Sequence, residues 1–157
     1  MNFIDTLYVK IRSKEIVKAK SKLKKLTVNT ITDSITKSCW KNNIQYDIIL
    51  KNSEELLIRL EGRGKVWLLK YDKKAMIFYD EFDRFLNYMD IYKAENGIYI
   101  TIGVFEPKII KSCHHIFLND VRLIDNVKFI KEQLGYCKKC EEVFKYGKLN
   151  FYSYLPN

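Results

Sequence analysis

The sequence predicts an α/β fold: one mixed β-sheet flanked by helices on both faces, in a single domain. Three observations predict it. Between residues 44 and 71, three short apolar runs follow one another with turn residues between them, as in an antiparallel meander. From residue 78 onward, helical and strand patterns alternate, as in parallel strands joined by crossover helices. The chain has 157 residues, 47% hydrophobic and 14% aromatic, enough for one full core and too few for two ordinary domains.

Ile16, Ala19, Leu23 and Leu26 recur at helical spacing, one apolar stripe set among lysines. Val28, Ile31, Ile35 and Cys39 share one face of a second helix over 28–42, so Cys39 reads as core; Asn42-Asn43 ends it. Strands follow at 44–50 (IQYDIIL), 55–60 (ELLIRL) and 66–71 (VWLLKY). Glu61-Gly62-Arg63-Gly64, between the last two, is a hairpin signal. Asp47 alternates with Gln45 and Ile49 and reads as an edge or solvent-face residue.

Phe78, Phe82, Phe85, Met89 and Tyr92 then form the aromatic face of a helix, read as core because aromatic rings dominate burial. Asn96-Gly97 ends that helix. Residues 98–104 (IYITIGV) read as one buried strand. Glu106-Pro107 opens a helix reaching residue 119, with Ile109, Ile110, Ile116 and Phe117 as its apolar face. A short strand at 121–124 (VRLI) precedes a last helix, capped by Asp125-Asn126 and closed by Gly135, with Val127, Ile130 and Leu134 inward. Beyond it, Phe144, Tyr146, Phe151, Tyr152, Tyr154 and Leu155 make the tail too aromatic for disorder. Its expected role is to pack back as an extra strand or to form a homodimer contact; the alternative is that these aromatics, with Lys145 and Lys148, stack single-stranded bases. The chain thus divides into a basic helical segment (1–27), a core (28–135) and an extension carrying a C-x-x-C (136–157).

Charge bounds the function. There are 28 Lys and Arg against 19 Asp and Glu, a net +9. An excess of that size favours a polyanion, and nucleic acid is the commonest one. The bland alternative is a lysine-rich composition throughout. The excess is uneven, however: residues 10–25 carry Lys18, Lys22, Lys24, Lys25 and four other cations against Glu15 alone. Such a block tracks a phosphate backbone or lies solvated on a surface. No apolar run approaches the length of a membrane span, and the first residues lack the apolar stretch of a secretory signal. A soluble, cytoplasmic protein with no membrane partner is expected.

The second half, with Gly97 to Phe105, the helix from Pro107, Val121-Arg122-Leu123-Ile124-Asp125 and the helix from Val127, resembles the restriction-endonuclease-like, PD-(D/E)xK, superfamily in its Mrr-type branch. The resemblance is one of pattern and order and covers about 28–134. It implies Mg²⁺-dependent phosphodiester hydrolysis, on DNA ahead of RNA. In such families an acid opens one hairpin strand, and an acid and a lysine stand two residues apart on the next, hence on one face. The carboxylates hold the metal and the lysine serves the attacking water.

Aligned by Gly62, that pattern falls on Glu55, Leu68 and Lys70; Leu68 cannot ligate a metal, so this register reads as a broken site. A second register uses the literal D-x-K of Asp72 and Lys74, with Lys70 and with Glu55 or Glu61 as the upstream acid. The first leads to a nucleic-acid-binding protein whose catalysis is weakened or lost, with Lys70 and Lys73 joining the N-terminal lysines on phosphate. The second leads to an active endonuclease. A protein–protein module that keeps only the shape is the third reading.

Cys137 and Cys140 form a C-x-x-C, and Cys113 with His114 or His115 would complete a tetrahedral Zn²⁺ site if the two segments met. Reduced cysteines at a helix end are the simpler expectation.

Overall fold

The computed structural model describes residues 2–113, 120–145 and 148–157. Its organising unit is the glycine hairpin. Strand β2 (Glu55–Gly62) turns into β3 (Lys65–Asp72) through Arg63 and Gly64. Both turn residues have positive φ, 53° and 73°, as a type I′ turn requires. β1 (Gln45–Lys51) pairs antiparallel with β2, with an irregularity between Ile48 and Leu50. β5 (Asn96–Thr101) and β7 (Asp120–Ile124) add in parallel on the other side of β3, giving the order β1-β2-β3-β5-β7. The expected mixed sheet is present.

Alternation along the strands splits the interior in two. Leu56, Ile58, Leu60, Leu69, Tyr71, Ile98 and Ile100 face one side. Against them pack helices α2 (Ser13–Lys25), α3 (Val28–Lys41) and α6 (Asn126–Leu134). Leu57, Leu68 and Tyr99 face the other side, under α4 (Tyr79–Ile91) and α5 (Pro107–Cys113). Thr27 caps α3 by accepting the Thr30 N–H, and Asp125 caps α6 by accepting that of Lys128.

Several expectations need correction. The N-terminal segment holds two helices, because α1 (Phe3–Ile11) precedes α2 and breaks from it at Arg12. Only Tyr8 of α1 is buried, while Phe3, Ile4, Leu7 and Ile11 stay exposed. Residues 98–104 are not one strand: β5 stops at Thr101, and Val104–Phe105 (β6) pairs instead with Met76–Ile77 (β4). The break has a steric cause. Gly103 crosses the chain at Lys74 and Ala75 so closely that a Cβ there would lie 2.0 Å from the Ala75 carbonyl oxygen.

Phe78 and Tyr92 lie outside the buried set of the aromatic helix, which is Phe82, Phe85 and Met89; Ile110 is also exposed. The tail packs back, with Phe144, Phe151, Tyr154 and Leu155 buried, but not as a strand. The Gln133 amide takes both the N–H and the carbonyl of Asn150 at 2.8 Å, occupying backbone that a strand partner would use. Ile116, Phe117, His114, His115 and Tyr146 lie outside the described residues.

Candidate active site

The hairpin register decides which side chains meet. Counting outward from the turn, Leu68 pairs with Arg59, Lys70 with Leu57 and Asp72 with Glu55. The acid facing Glu55 is therefore Asp72, and Leu68 is a core residue beneath α4. The broken-site register does not hold. Glu61 pairs with Val66 at the turn end and bonds Arg59 at 2.8 Å, so it is not the upstream acid. Asp47, exposed on the edge strand, stands 3.7 Å from the same guanidinium.

Across the sheet on the α4 side, Glu55, Asp72 and Thr101 lie in one row, with Leu57, Lys70 and Tyr99 in the next. The Lys70 ammonium bonds Glu55 and stands 4.0 Å from Asp72. The Tyr99 hydroxyl donates to Asp72 Oδ2 at 3.2 Å. Asp72 Oδ1 is buried with no hydrogen-bond partner, and the residue as a whole is 1% exposed. Lys74, just past the strand end, bonds Glu81 on α4; the other Glu81 oxygen accepts the Phe78 N–H at 3.0 Å. Thr101 Oγ1 donates to the Lys74 carbonyl at 3.1 Å and accepts the Gly103 N–H at 3.0 Å, which pins the loop that presents Lys74.

Burial pushes the Asp72 carboxyl above its ordinary value, and the Lys70 and Lys74 charges oppose that push. Burial acts the same way on Glu55, but the Lys70 hydrogen bond and charge, with Asn52 and Lys74, outweigh it and hold Glu55 low. Glu81 is also held low: the Lys74 bond and the Phe78 N–H overcome burial. The bond to Glu81 raises Lys74, so it stays cationic through neutral pH. Two carboxylates with opposite displacements, one of them starved of partners, mark a functional-site candidate.

The row meets the oxygen chemistry of Mg²⁺. That ion takes one or two carboxylates and completes its shell with water and substrate oxygens. Glu55 and Asp72 supply the carboxylates, and the unclaimed Asp72 Oδ1 is a free acceptor. Among the described residues, no group of three or more His, Cys, Asp and Glu side chains comes together for a more demanding ion.

The other predicted residues lie elsewhere. α2 packs against α6 and the turn at Glu141–Lys145. The charges of its Lys18 and Lys22 act on Cys140, whereas Lys70 and Lys74 act on Asp72. Cys140 belongs to the α3–α6 side of the sheet and Cys113 to the α4 side, while Cys137 is exposed. The structure does not bring these three together. A cleft of about 590 Å³ opens beside α1, β7 and α6, and two ion pairs line it: Asp5 bonds Lys131, and Arg122 stands 3.7 Å from Glu132.

Glu81, Tyr99 and Thr101 escaped the sequence reading. Glu81 reads as a polar-face helix residue, and Tyr99 as strand core. Alternation would have put Tyr99 and Thr101 on the face of Lys70 and Asp72, once β5 was placed parallel beside β3.

No family model matches the sequence, and no curated protein matches it. Among solved structures, the chain is similar to a complex described as the MspJI restriction endonuclease with a 27-mer oligonucleotide. The identity is 14% and the TM-score 0.39, over 90% of this chain and 34% of that one. The chain thus spans about a third of the length of that enzyme.

Proposed function

We propose that the chain is a divalent-metal-dependent phosphodiesterase acting on nucleic acid, with DNA the first substrate to test. Glu55 and Asp72 are the metal-holding carboxylates, Lys74 is the cation that faces phosphate, and the buried Lys70 holds Glu55. The observation that carries this reading is the buried Asp72 carboxylate opposite Glu55, with one oxygen that no protein group claims. Desolvating a carboxylate is costly unless something compensates it.

When bound, Mg²⁺ supplies Lewis-acid stabilisation of the phosphate charge and a more acidic water. The protein does the rest. Tyr99 fixes the Asp72 carboxylate by its Oδ2 and leaves Oδ1 for the metal. Lys74, kept protonated, acts as an electrostatic clamp on the scissile phosphate rather than as a proton acceptor. Glu81 sets the position of that ammonium. Lys73, half-buried beside it, is a further phosphate contact.

One observation favours a second reading, a nucleic-acid binder without catalysis. The Lys70 ammonium already occupies the Glu55 carboxylate, where a metal would have to displace it. Incubation with plasmid and single-stranded substrates separates the two. The proposal expects cleavage with Mg²⁺ or Mn²⁺, none with EDTA, and a loss of at least about a hundredfold in Asp72→Asn and Lys74→Ala. Binding without cleavage under every metal condition overturns it in favour of the binder.

A further inference from the structure

Beside the carboxylate row the surface changes character. After Lys73 and Lys74 the chain enters β4, whose register sets Met76 against Val104 and Ile77 against Phe105. Strand alternation turns Ile77 into the core and leaves Met76 and Phe78 on the outer side. Met76 is 38% exposed, Val104 40% and Phe78 55%.

Lys73 and Lys74 precede these three in the chain. Tyr79, the neighbour of Phe78, has Lys108 of α5 4.4 Å from its ring centre and its N–H accepted by Glu106 at 2.9 Å. Phe78 is also tied to the site, because the Glu81 carboxylate that accepts its N–H also accepts Lys74. A single exposed apolar residue needs no explanation. Three neighbouring ones, directly after two lysines and one carboxylate away from the proposed phosphate clamp, match a ligand with flat apolar faces between anionic charges. Single-stranded nucleic acid is such a ligand.

We infer that Phe78, with Met76 and Val104, forms a stacking platform for an unpaired nucleobase next to the scissile phosphate. The site therefore takes single-stranded or locally opened nucleic acid in preference to intact duplex. This rests on the phosphodiesterase reading above and narrows its substrate class. In a closed duplex each base is already stacked on its neighbours and offers the ring no face. A protein partner seated on the same residues would be indifferent to bases.

The test is fluorescence anisotropy of the full chain in EDTA, with three labelled probes: a short single strand, an abasic strand of equal length, and a blunt duplex. The proteins are wild type, Phe78→Ala and Phe78→Trp. Wild type should prefer the base-bearing strand over the abasic one by about tenfold. Phe78→Ala should lose about that factor on the base-bearing strand alone, and Phe78→Trp should retain it. If wild type binds base-bearing and abasic strands equally, or if Phe78→Ala weakens all probes alike, the platform is refuted while the phosphodiesterase reading stands. If wild type binds none of the probes at low salt and cleaves none of them with Mg²⁺ or Mn²⁺, both fall.

Discussion

Asp72 carries its charge into the end of β3 with one carboxylate oxygen satisfied and one not. Glu55, across the hairpin, carries its charge with the Lys70 ammonium against it. The two should respond oppositely to substitution. Asp72→Asn removes a charge that burial penalises, so it should stabilise the fold by about 1 kcal/mol while abolishing metal-dependent activity. Thermal denaturation and a cleavage assay on one preparation check both halves. Glu55→Ala leaves Lys70, 8% exposed, without its closest anion, and should cost about 2 kcal/mol.

The pH dependences differ in the same sense. Glu55 is depressed in the folded state, so its stabilisation is present above its ordinary value and is lost as pH falls through the folded one. Asp72 is raised, so its penalty is present above the folded value and fades as pH falls towards the ordinary one. Activity requires Asp72 ionised. A proton on it competes with the metal, so Mn²⁺ uptake should weaken as pH falls towards the carboxylate range, which calorimetric titrations at several pH values will show. Sequence could name Glu55, Lys70, Asp72 and Lys74, because each residue type announces its chemistry. It could not show the unclaimed Asp72 oxygen, which depends on what Tyr99 does three-dimensionally.

At the scale of elements, the hairpin was legible and its register was not. Gly64 and the alternating apolar runs mark the turn, and the structure has it there. The loop is only two residues, however, and β3 runs on to Asp72, one residue beyond the apolar pattern. That extra residue brings Asp72 against Glu55 and removes Leu68 from the site. The division of 98–104 into two strands was hidden for a related reason. It is imposed by the Lys74–Ala75 backbone passing over Gly103, a contact between distant segments. Gly103→Ala should push that loop away, cost about 2 kcal/mol in stability, and depress cleavage by displacing Lys74. Gly97→Ala meets side chains, Met89 Sδ at 2.5 Å and the Phe85 ring, which can yield; it should leave the position of Lys74 and the cleavage rate less affected. Chemical denaturation with a parallel activity assay compares the two.

Over the whole molecule, the basic helix and the carboxylate row lie on opposite sides of the sheet. The α2 lysines project from the helical layer on the α3–α6 side, and Lys70 and Lys74 from the α4 side. If α2 contributes only non-specific attraction, replacing Lys18, Lys22, Lys24 and Lys25 with Gln should weaken nucleic-acid affinity and flatten its salt dependence. The cleavage rate at saturating substrate should stay the same. Salt titrations of affinity beside single-turnover rates measure the two effects independently.

If the glycine hairpin puts Glu55 and Asp72 into one divalent-metal site, calorimetric titration with Mn²⁺, in wild type and in Asp72→Asn, will show it without reference to any substrate. Wild type should take up Mn²⁺ at one saturable site that disappears in the variant while the fold becomes no less stable. A wild type that takes up no Mn²⁺, or a variant that binds it as tightly, would contradict that assignment.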